Sequence, residues 1–235
     1  QWSLSRYRNS SQFGSREYNG DEQSGYINVL YQSSLAGTVH KFRTGMSFLF
    51  DEYNEAFDLM QYQRVERVPG VFFEYTFSPS EQFSLVAGIR ADEHNAYGTM
   101  ITPRLHIRYT PHEDWVLRLA AGRGYRTANI FAENSTVFAS SRTVSIIPTG
   151  TFGYGLKQEV AWNYGFNLTH YFQFDNREAT LITDLYRTDF EQVVLADLDA
   201  NSHQVIFYSV PNGSYSNSFQ TELNIQPLER LDVRF

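Results

Sequence analysis

The feature that most constrains the fold is an alternation of apolar and polar side chains with a period of two residues. It is clearest in 159–174, where the even positions from Val160 to Phe174 are mostly apolar or aromatic and the odd positions are mostly small or polar. This period is typical of a β-strand whose two faces meet different surroundings. The alternation recurs in 26–33, 42–50, 71–77, 83–91, 101–110, 114–122 and 219–225, and less cleanly in 178–190. The pattern predicts an all-β chain of about eleven strands.

The connections between these segments alternate in length. Short connections near 35–37, 78–81, 110–113, 175–177 and 226–229 contain the Gly, Pro, Asn and Asp residues of tight turns. Longer connections lie between them, at 9–23, 51–63, 92–100, 125–155 and 191–203. A meander places successive connections at opposite ends of a sheet, so this rhythm predicts an antiparallel, up-and-down transmembrane β-barrel with long loops at one end. A Greek-key β-sandwich gives no reason for the same rhythm.

Composition excludes several other classes of protein. The chain has no run of 18 apolar residues, which excludes a helical membrane protein. The net charge is −7 without any basic cluster, so no nucleic acid is expected as a partner. Cysteine is missing, which excludes disulfide scaffolds and thiolate metal sites. The 19 Phe, 16 Tyr and 3 Trp residues argue against disorder and suit a lipid-facing surface with aromatic girdles.

Short motifs occur along the chain in an order that resembles one known family. They are Gly88-Ile89-Arg90-Ala91-Asp92, Thr102-Pro103-Arg104-Leu105, Gly122-Arg123-Gly124-Tyr125-Arg126, Trp162-Asn163-Tyr164-Gly165 and Tyr186-Arg187-Thr188-Asp189-Phe190. This order resembles the barrel of TonB-dependent outer-membrane receptors, in the form found in Bacteroidetes. The likeness extends from about Gly70 to Glu222.

The resemblance implies a barrel of 22 strands, about half of which fit this sequence. Residues 1–235 are therefore expected to be a partial receptor barrel, a fragment in which the plug domain is absent. The energy-coupling box of the family has no counterpart in the sequence either.

The resemblance also implies a function. Such a receptor binds a scarce nutrient, such as a siderophore, haem, vitamin or glycan, and imports it across the bacterial outer membrane with TonB-coupled energy. The implied partners are outer-membrane lipid, the receptor's own plug domain, the TonB complex acting through the plug, and a small nutrient ligand. Two alternatives stay open at this point: a complete smaller outer-membrane barrel acting as a passive channel, and a soluble β-sheet carbohydrate-binding domain.

The connection 125–155 is the best candidate for a ligand-binding rim. It is too long for an inert turn, and its 127–133 stretch is expected to form a short helix. The expected substrate-binding residues are Tyr125, Arg126, Phe131, Phe138, Phe152 and Tyr154. Their rings can stack on a ligand or pack the loop against itself, and the sequence does not choose between the two.

Arginines lie mainly on the polar face of the strand segments, whereas acidic residues concentrate in the long connections. A guanidinium can hold a carboxylate bidentately, which suits a confined lumen better than a lysine does. The residues expected to face the lumen are Arg104, Arg108, Arg118, Arg123 and Glu159. There they would pair structurally, hold the plug or line the substrate path.

No enzymatic reaction is expected. The six histidines are not accompanied by a serine elbow, an HExxH pair or a glycine-rich phosphate loop, so no catalytic residue is assigned. No cofactor is expected either, apart from a possible Ca²⁺ loop at Asp197, Asp199 and Asn201. That loop lacks the glycine and the final glutamate of a complete calcium-binding loop.

Overall fold

The structure is a computed structural model that describes residues 1–35, 37–175 and 177–235. Its elements in chain order are β1 (Trp2–Phe13), β2 (Arg16–Leu35), β3 (His40–Phe57), β4 (Met60–Ser80), β5 (Phe83–His94), β6 (Gly98–His112), β7 (Trp115–Arg126), α1 (Ile130–Glu133), α2 (Ser135–Phe138), β8 (Thr143–Ile146), β9 (Glu159–Phe174), β10 (Arg177–Asp197), β11 (Gln204–Leu228) and β12 (Leu231–Arg234). Within the described ranges, no helix is long and apolar enough to cross a membrane.

Eleven of the strands form one antiparallel meander in chain order, from β1 to β7 and then from β9 to β12. The remaining strand, β8, lies outside this path and pairs in parallel with β11, with Thr143 opposite Gln204 and Ile146 opposite Phe207. The prediction of an antiparallel up-and-down sheet of about eleven strands is thus confirmed. The predicted turn residues Ala36 and Asn176 lie outside the described residues.

Three connections that the sequence predicts as long loops are in fact continuations of the strands. Segments 9–23, 51–63 and 92–100 extend β1 to β6 up to tight turns at 14–15, 58–59 and 95–97. In the first two turns, Gly14 and Asp58 take left-handed φ values of 65° and 52°. The prediction of loops in these segments was wrong. Beyond the membrane, polar side chains occupy both faces and the alternation ends. The strands nevertheless continue, because the hydrogen bonds between their backbones do not depend on alternating side chains.

The strands are longer than a membrane requires. Strands β4 and β10 have 21 residues each, and β11 has 25. A tilted strand needs only ~10 residues to cross the hydrocarbon core. At ~3.3 Å per residue, β4 is roughly 70 Å long, so the wall projects well beyond any apolar band.

The pairing register assigns each strand side chain to one of two faces, because directly opposite residues share a face. One face carries a band of exposed apolar side chains, including Ile27, Val71 and Leu119, which are 51%, 58% and 48% exposed. A surface this apolar is rare on a soluble monomer. We call it the outer face, and we call the opposite face, which carries most of the charged strand residues, the inner face.

The sheet curves around its inner face into half of a barrel. The ring of Phe138, from α2, lies 5.0 Å from the ring of Phe57 on β3 and 6.1 Å from that of Phe207 on β11. In a flat sheet, seven strand spacings would separate β3 from β11 by roughly 34 Å. Only strong curvature lets one side chain contact both strands.

Candidate functional site

The connection between β7 and β9, residues 127–158, covers one end of the half-barrel, and we call it the cap. It is tied to hairpin tips on both sides of the curved sheet. On one side, Nη1 of Arg16 donates a hydrogen bond to the carbonyl oxygen of Arg142 at 2.6 Å. On the other side, the amide of Thr143 donates to the carbonyl oxygen of His203 at 2.9 Å. The cap therefore bridges the early and the late strands of the sheet.

An apolar core lies between the cap and the inner face. Phe57, Phe138 and Phe207 are each only 1% exposed at its centre. Its buried members are Tyr18, Phe57, Ala128, Ile130, Phe131, Phe138, Tyr154, Leu156, Val205 and Phe207. Because burying one large apolar side chain contributes about 1.5–3 kcal/mol, this core holds the cap firmly in place.

A buried ionic cluster fixes the cap next to this core. The side chain of Arg64 is 2% exposed, and its Nε lies 2.9 Å from Oε1 of Glu66, while Nη1 lies 3.6 Å from Oε2 of Glu55. The guanidinium also donates to the side-chain oxygen of Asn129 in the cap and lies 3.7 Å from the ring centroid of Tyr53. One arginine thus joins β3, β4 and the cap.

His94 extends this cluster to β5. Its Nδ1 accepts a hydrogen bond from the amide of Ala96 at 3.0 Å, so the ring proton is on Nε2, which lies 3.4 Å from Oε2 of Glu66. Burial alone would raise the pKa of Glu66, but the hydrogen bond from His94 and the charge of Arg64 outweigh it and lower that pKa. Glu66 therefore remains ionised in its buried position.

Glu55 is the second carboxylate of the cluster and accepts hydrogen bonds from two tyrosines. The hydroxyl of Tyr18 donates to it at 2.9 Å, and the hydroxyl of Tyr154 in the cap donates to its other oxygen. Burial, reinforced by the negative charge of Glu55, raises the pKa of Tyr154 far above its usual range. Tyr154 is therefore a neutral donor that holds the cap to β3.

A cavity of about 490 Å³ opens between α1 and the inner faces of β1, β2 and β3. This volume lies within the ~300–1,000 Å³ typical of small-molecule sites. The rings that line it belong to Tyr7, Tyr18, Tyr53 and Phe131, and the polar side chains include Asn9, Glu22 and Asn129. We call it the mouth cavity.

Four of the five residues predicted to face the lumen share the inner face. Arg104 forms an ion pair with Glu74, Nη1 of Arg108 donates to the carbonyl oxygen of Glu81 at 3.1 Å, and Nη1 of Arg118 donates to Oδ1 of Asn167 at 2.8 Å. Glu159 lies opposite Arg126 in the ladder and is ion-paired with it.

Arg123, the fifth predicted lumen residue, lies on the outer face instead. Its ladder partner is Trp162, which belongs to the apolar series of β9. There Nε of Arg123 donates to Glu191 at 3.1 Å, and Nε1 of Trp162 donates to the same carboxylate at 3.0 Å. The period of two explains the difference, because an odd position in β7 cannot share a face with Arg118.

The predicted rim residues are distributed through the cap and its base. Phe131, Phe138 and Tyr154 are buried in the apolar core, at 3%, 1% and 6% exposure. Phe152 packs against the rings of His94 and Tyr97, with its centroid 5.6 and 5.4 Å from theirs. Of these four rings, only Phe131 also lines the mouth cavity.

The two remaining rim candidates end strand β7. Tyr125 stacks under the guanidinium of Arg123 at 4.8 Å on the outer face. Arg126 faces inward, where Nη1 lies 3.1 Å from Oε1 of Glu133 in addition to its contact with Glu159. Arg126 thus ties the base of the cap to the wall.

Sequence reasoning missed Tyr7, Glu22, Tyr53 and Arg64. All but Tyr7 lie in or next to segments whose sequence predicts loops, so the period of two does not assign their side chains to a face. The available signal was the continued spacing by two of Tyr7, Asn9 and Ser11, which places these three on one face.

The candidate calcium loop forms a turn in the described structure. Oδ1 of Asp197 accepts hydrogen bonds from the amides of Asp199 and Ala200, both at 2.9 Å, and these bonds lower the pKa of Asp197. Oδ1 of Asn201 accepts from the amide of His203 at 2.9 Å. Within the described ranges, no cluster of three or more His, Cys, Asp or Glu side chains is suited to a metal ion.

The lipid-facing wall and its capped end indicate a membrane β-barrel of the outer-membrane receptor class. The comparison with protein families makes this specific: residues 1–226 match the family described as TonB dependent receptor-like, beta-barrel, and the chain belongs to this family. Members of the family are receptors and transporters of the bacterial outer membrane rather than enzymes. No curated protein matches the chain.

Several solved structures share the fold. The siderophore receptor PirA from Pseudomonas aeruginosa is 13% identical with a TM-score of 0.63, over 97% of this chain and 46% of that one. A mutant of the ferric enterobactin receptor PfeA from the same organism, solved with enterobactin, is 14% identical with a TM-score of 0.61, over 92% and 35%. The alcaligin outer-membrane receptor FauA from Bordetella pertussis is 12% identical with a TM-score of 0.58, over 97% and 40%. The chain thus spans less than half of each.

Proposed function

We propose that the protein is an outer-membrane receptor that binds a scarce nutrient at its capped end and imports it with TonB-coupled energy. The observation that carries the proposal is the mouth cavity, which lies at the capped end of a wall whose residues 1–226 match the receptor barrel family. By name, PirA is a siderophore receptor, PfeA a ferric enterobactin receptor and FauA an alcaligin outer-membrane receptor, which supports ligand capture as the general role.

The cap makes the mouth cavity a preformed site. Its helix α1 is held by the buried contacts of Arg64, Asn129 and Phe131, so a ligand meets a wall that is already ordered. A preorganised site loses little conformational entropy when it binds, which favours affinity at low nutrient concentration.

Transport in this proposal requires binding and gated release, without covalent chemistry. The family's plug domain would occupy the lumen, and the TonB complex would act on that plug. The inner-face arginines Arg104, Arg108 and Arg118 would face the plug or the ligand path. Arg104 is already neutralised by Glu74, whereas Arg108 and Arg118 contact only uncharged groups in the described structure.

The test is TonB-dependent uptake by the full-length receptor. A strain lacking the receptor gene is complemented with the wild-type gene, in backgrounds with and without functional TonB, and mass spectrometry follows the depletion of compounds from a defined medium. We expect a compound that is depleted only when receptor and TonB are both present. Depletion that persists without TonB would instead establish a passive channel.

A further inference from the structure

We propose that the mouth cavity binds an uncharged, hydroxyl-rich ring compound, that is, a saccharide. The inference rests on the proposed receptor function and specifies the ligand class of that receptor. It is carried by the side chains that the register places together on β1, β2 and β3.

The floor of the cavity is a row of three side chains at one level of the sheet. Tyr7 on β1 lies opposite Glu22 on β2, which in turn lies opposite Tyr53 on β3. Adjacent strands are ~4.8 Å apart, so the backbones of Tyr7 and Tyr53 are about 10 Å from each other, with Glu22 between them. The ring of Tyr7 lines the cavity, and an aromatic ring can stack on the apolar face of a sugar ring.

The next row supplies an amide group. Asn9 lies opposite Gly20, and Gly20 lies opposite Glu55. The side chain of Tyr18 covers Gly20 at the centre of this row, because a Cβ atom at Gly20 would lie 2.7 Å from the Tyr18 hydroxyl oxygen. Oδ1 of Asn9 accepts a hydrogen bond from the hydroxyl of Ser11 at 3.0 Å, so the amide NH₂ of Asn9 has no partner within the described ranges and is available as a donor.

Asn129 contributes a second amide donor from the cap. Its side-chain oxygen accepts from Arg64, and its NH₂ group has no partner in the part of the chain that is described. The cavity thus combines two amide donors with the carboxylate acceptor of Glu22. Hydroxyl groups both donate and accept, so a polyol satisfies both kinds of group at once.

The charge of the cavity disfavours an anionic ligand. No basic side chain lines it. The guanidinium of Arg64 is buried against Tyr53 and paired with Glu55 and Glu66, and those of Arg6 and Arg8 are paired with Asp21. Glu22 has no cationic partner within 4 Å among the described residues and leaves the cavity negative. An anion would lose its hydration there without gaining a countercharge.

A cationic ligand fits less well than a neutral one. Glu22 would attract a cation. The amide NH₂ groups of Asn9 and Asn129 are hydrogen-bond donors with a partial positive charge, so they would repel it. A cation leaves both amide NH₂ groups without an acceptor, whereas a hydroxyl oxygen of a polyol can accept a hydrogen bond from each of them. The neutral polyol alone uses the rings, the amides and the carboxylate together.

The experiment measures ligand binding to the full-length receptor in detergent by titration calorimetry. The neutral probes are maltohexaose, xylohexaose and chitohexaose, and the anionic probe is ferric enterobactin. The variants are Tyr7→Ala and Glu22→Gln, and the matched control is Tyr31→Ala, because Tyr31 is 61% exposed on the outer face of β2.

We expect at least one neutral oligosaccharide to bind, with a Kd that does not change between low and high salt. Tyr7→Ala and Glu22→Gln should each weaken binding at least ~10-fold, and Tyr31→Ala should change it less than ~2-fold. The assignment is overturned if no neutral oligosaccharide binds, if ferric enterobactin binds instead, or if Tyr7→Ala has no effect.

Uptake assays separate this inference from the receptor proposal. If an oligosaccharide binds at the mouth cavity but is not imported in a TonB-dependent manner, the receptor proposal fails and the ligand class stands. If ferric enterobactin is imported with TonB and no oligosaccharide binds, the receptor proposal stands and the ligand class fails.

Discussion

Arg64 shows how a single buried charge can organise a site. Its guanidinium lies between Glu55 and Glu66, stacks on Tyr53 and reaches Asn129 in the cap. Burying an ion is costly, and the cost is offset only while the full set of partners is present. The cluster is therefore more sensitive to the loss of one member than to any change of the exposed arginines.

Replacing Arg64 with Met should lower the free energy of unfolding by about 3–5 kcal/mol, because two buried carboxylates lose their common cation. The measurement is urea unfolding of the full-length receptor. Arg8→Met is the matched control, since the Arg8 side chain is 67% exposed and its partner Asp21 keeps Arg6, and its effect should stay within about 0.5 kcal/mol. Equal losses for the two variants would show that Arg64 does not act through its buried partners.

At the scale of the strand, glycine sets how closely β2, β3 and β4 pack on the inner face. A Cβ atom at Gly45 of β3 would overlap the backbone carbonyl oxygen of Val29 and lie 2.7 Å from Cζ of Phe72. The ring of Phe72 covers Gly45 in the same way that Tyr186 on β10 covers Gly165 on β9. Such side chains lie flat against the wall and leave the lumen open.

Gly45→Ala should destabilise the receptor by about 1–3 kcal/mol, because the backbone of β2 would have to shift. Gly124→Ala on β7 is the control, since a Cβ there meets nothing within 4 Å, and its effect should remain small. The midpoint of urea unfolding compares the two. A Gly45→Ala midpoint equal to the wild-type value would show that β2 adapts without cost.

The strands could be predicted from sequence in the segments where lipid contacts one face. Their extensions beyond the membrane could not be predicted in this way. Between Phe42 and Phe50 the apolar residues repeat at even positions, so both the strand and its faces were predictable. Beyond Phe50 both faces meet water or the cap, and the alternation ends although β3 continues to Phe57. The contacts of the cap with β11 depend on curvature, which no local pattern encodes.

The candidate site was predictable only as a region. The length and aromatic content of 125–155 indicated a functional loop, and the cap occupies 127–158. Whether the rings of this loop stack on a ligand or pack against the protein depends on tertiary contacts. Phe138, for example, lies between Phe57 and Phe207, which are far apart in sequence. Glu22 and Tyr53 could not be recognised, because only the ladder register brings them beside Tyr7.

At the scale of the whole molecule, the outer face of the wall is assigned to lipid and the inner face to water. Leu119 and Ala120 are neighbours on β7 with opposite orientation: Leu119 is 48% exposed on the outer face, and Ala120 borders an inner-face cavity of about 590 Å³ that Asp184 also lines. A substitution that adds a charge should therefore have opposite consequences at these adjacent positions.

Leu119→Arg should destabilise the folded receptor in lipid vesicles by about 2–4 kcal/mol, the cost of an arginine on the lipid face near the bilayer centre. Ala120→Arg should cost far less, because the added guanidinium has water and the carboxylate of Asp184 within reach. Reversible urea unfolding in vesicles measures both variants. Equal costs would contradict the assignment of the outer face to lipid.

The bridge that Phe138 makes between β3 and β11 also dictates an order of assembly. Each hairpin can form from residues adjacent in the chain, but the cap core needs strands from both ends of the sheet at once, and closing so long a loop is slow. The cap is then the last part of this wall to become ordered. The mouth cavity, which takes one side from the cap, exists only after the strands beneath it are in place.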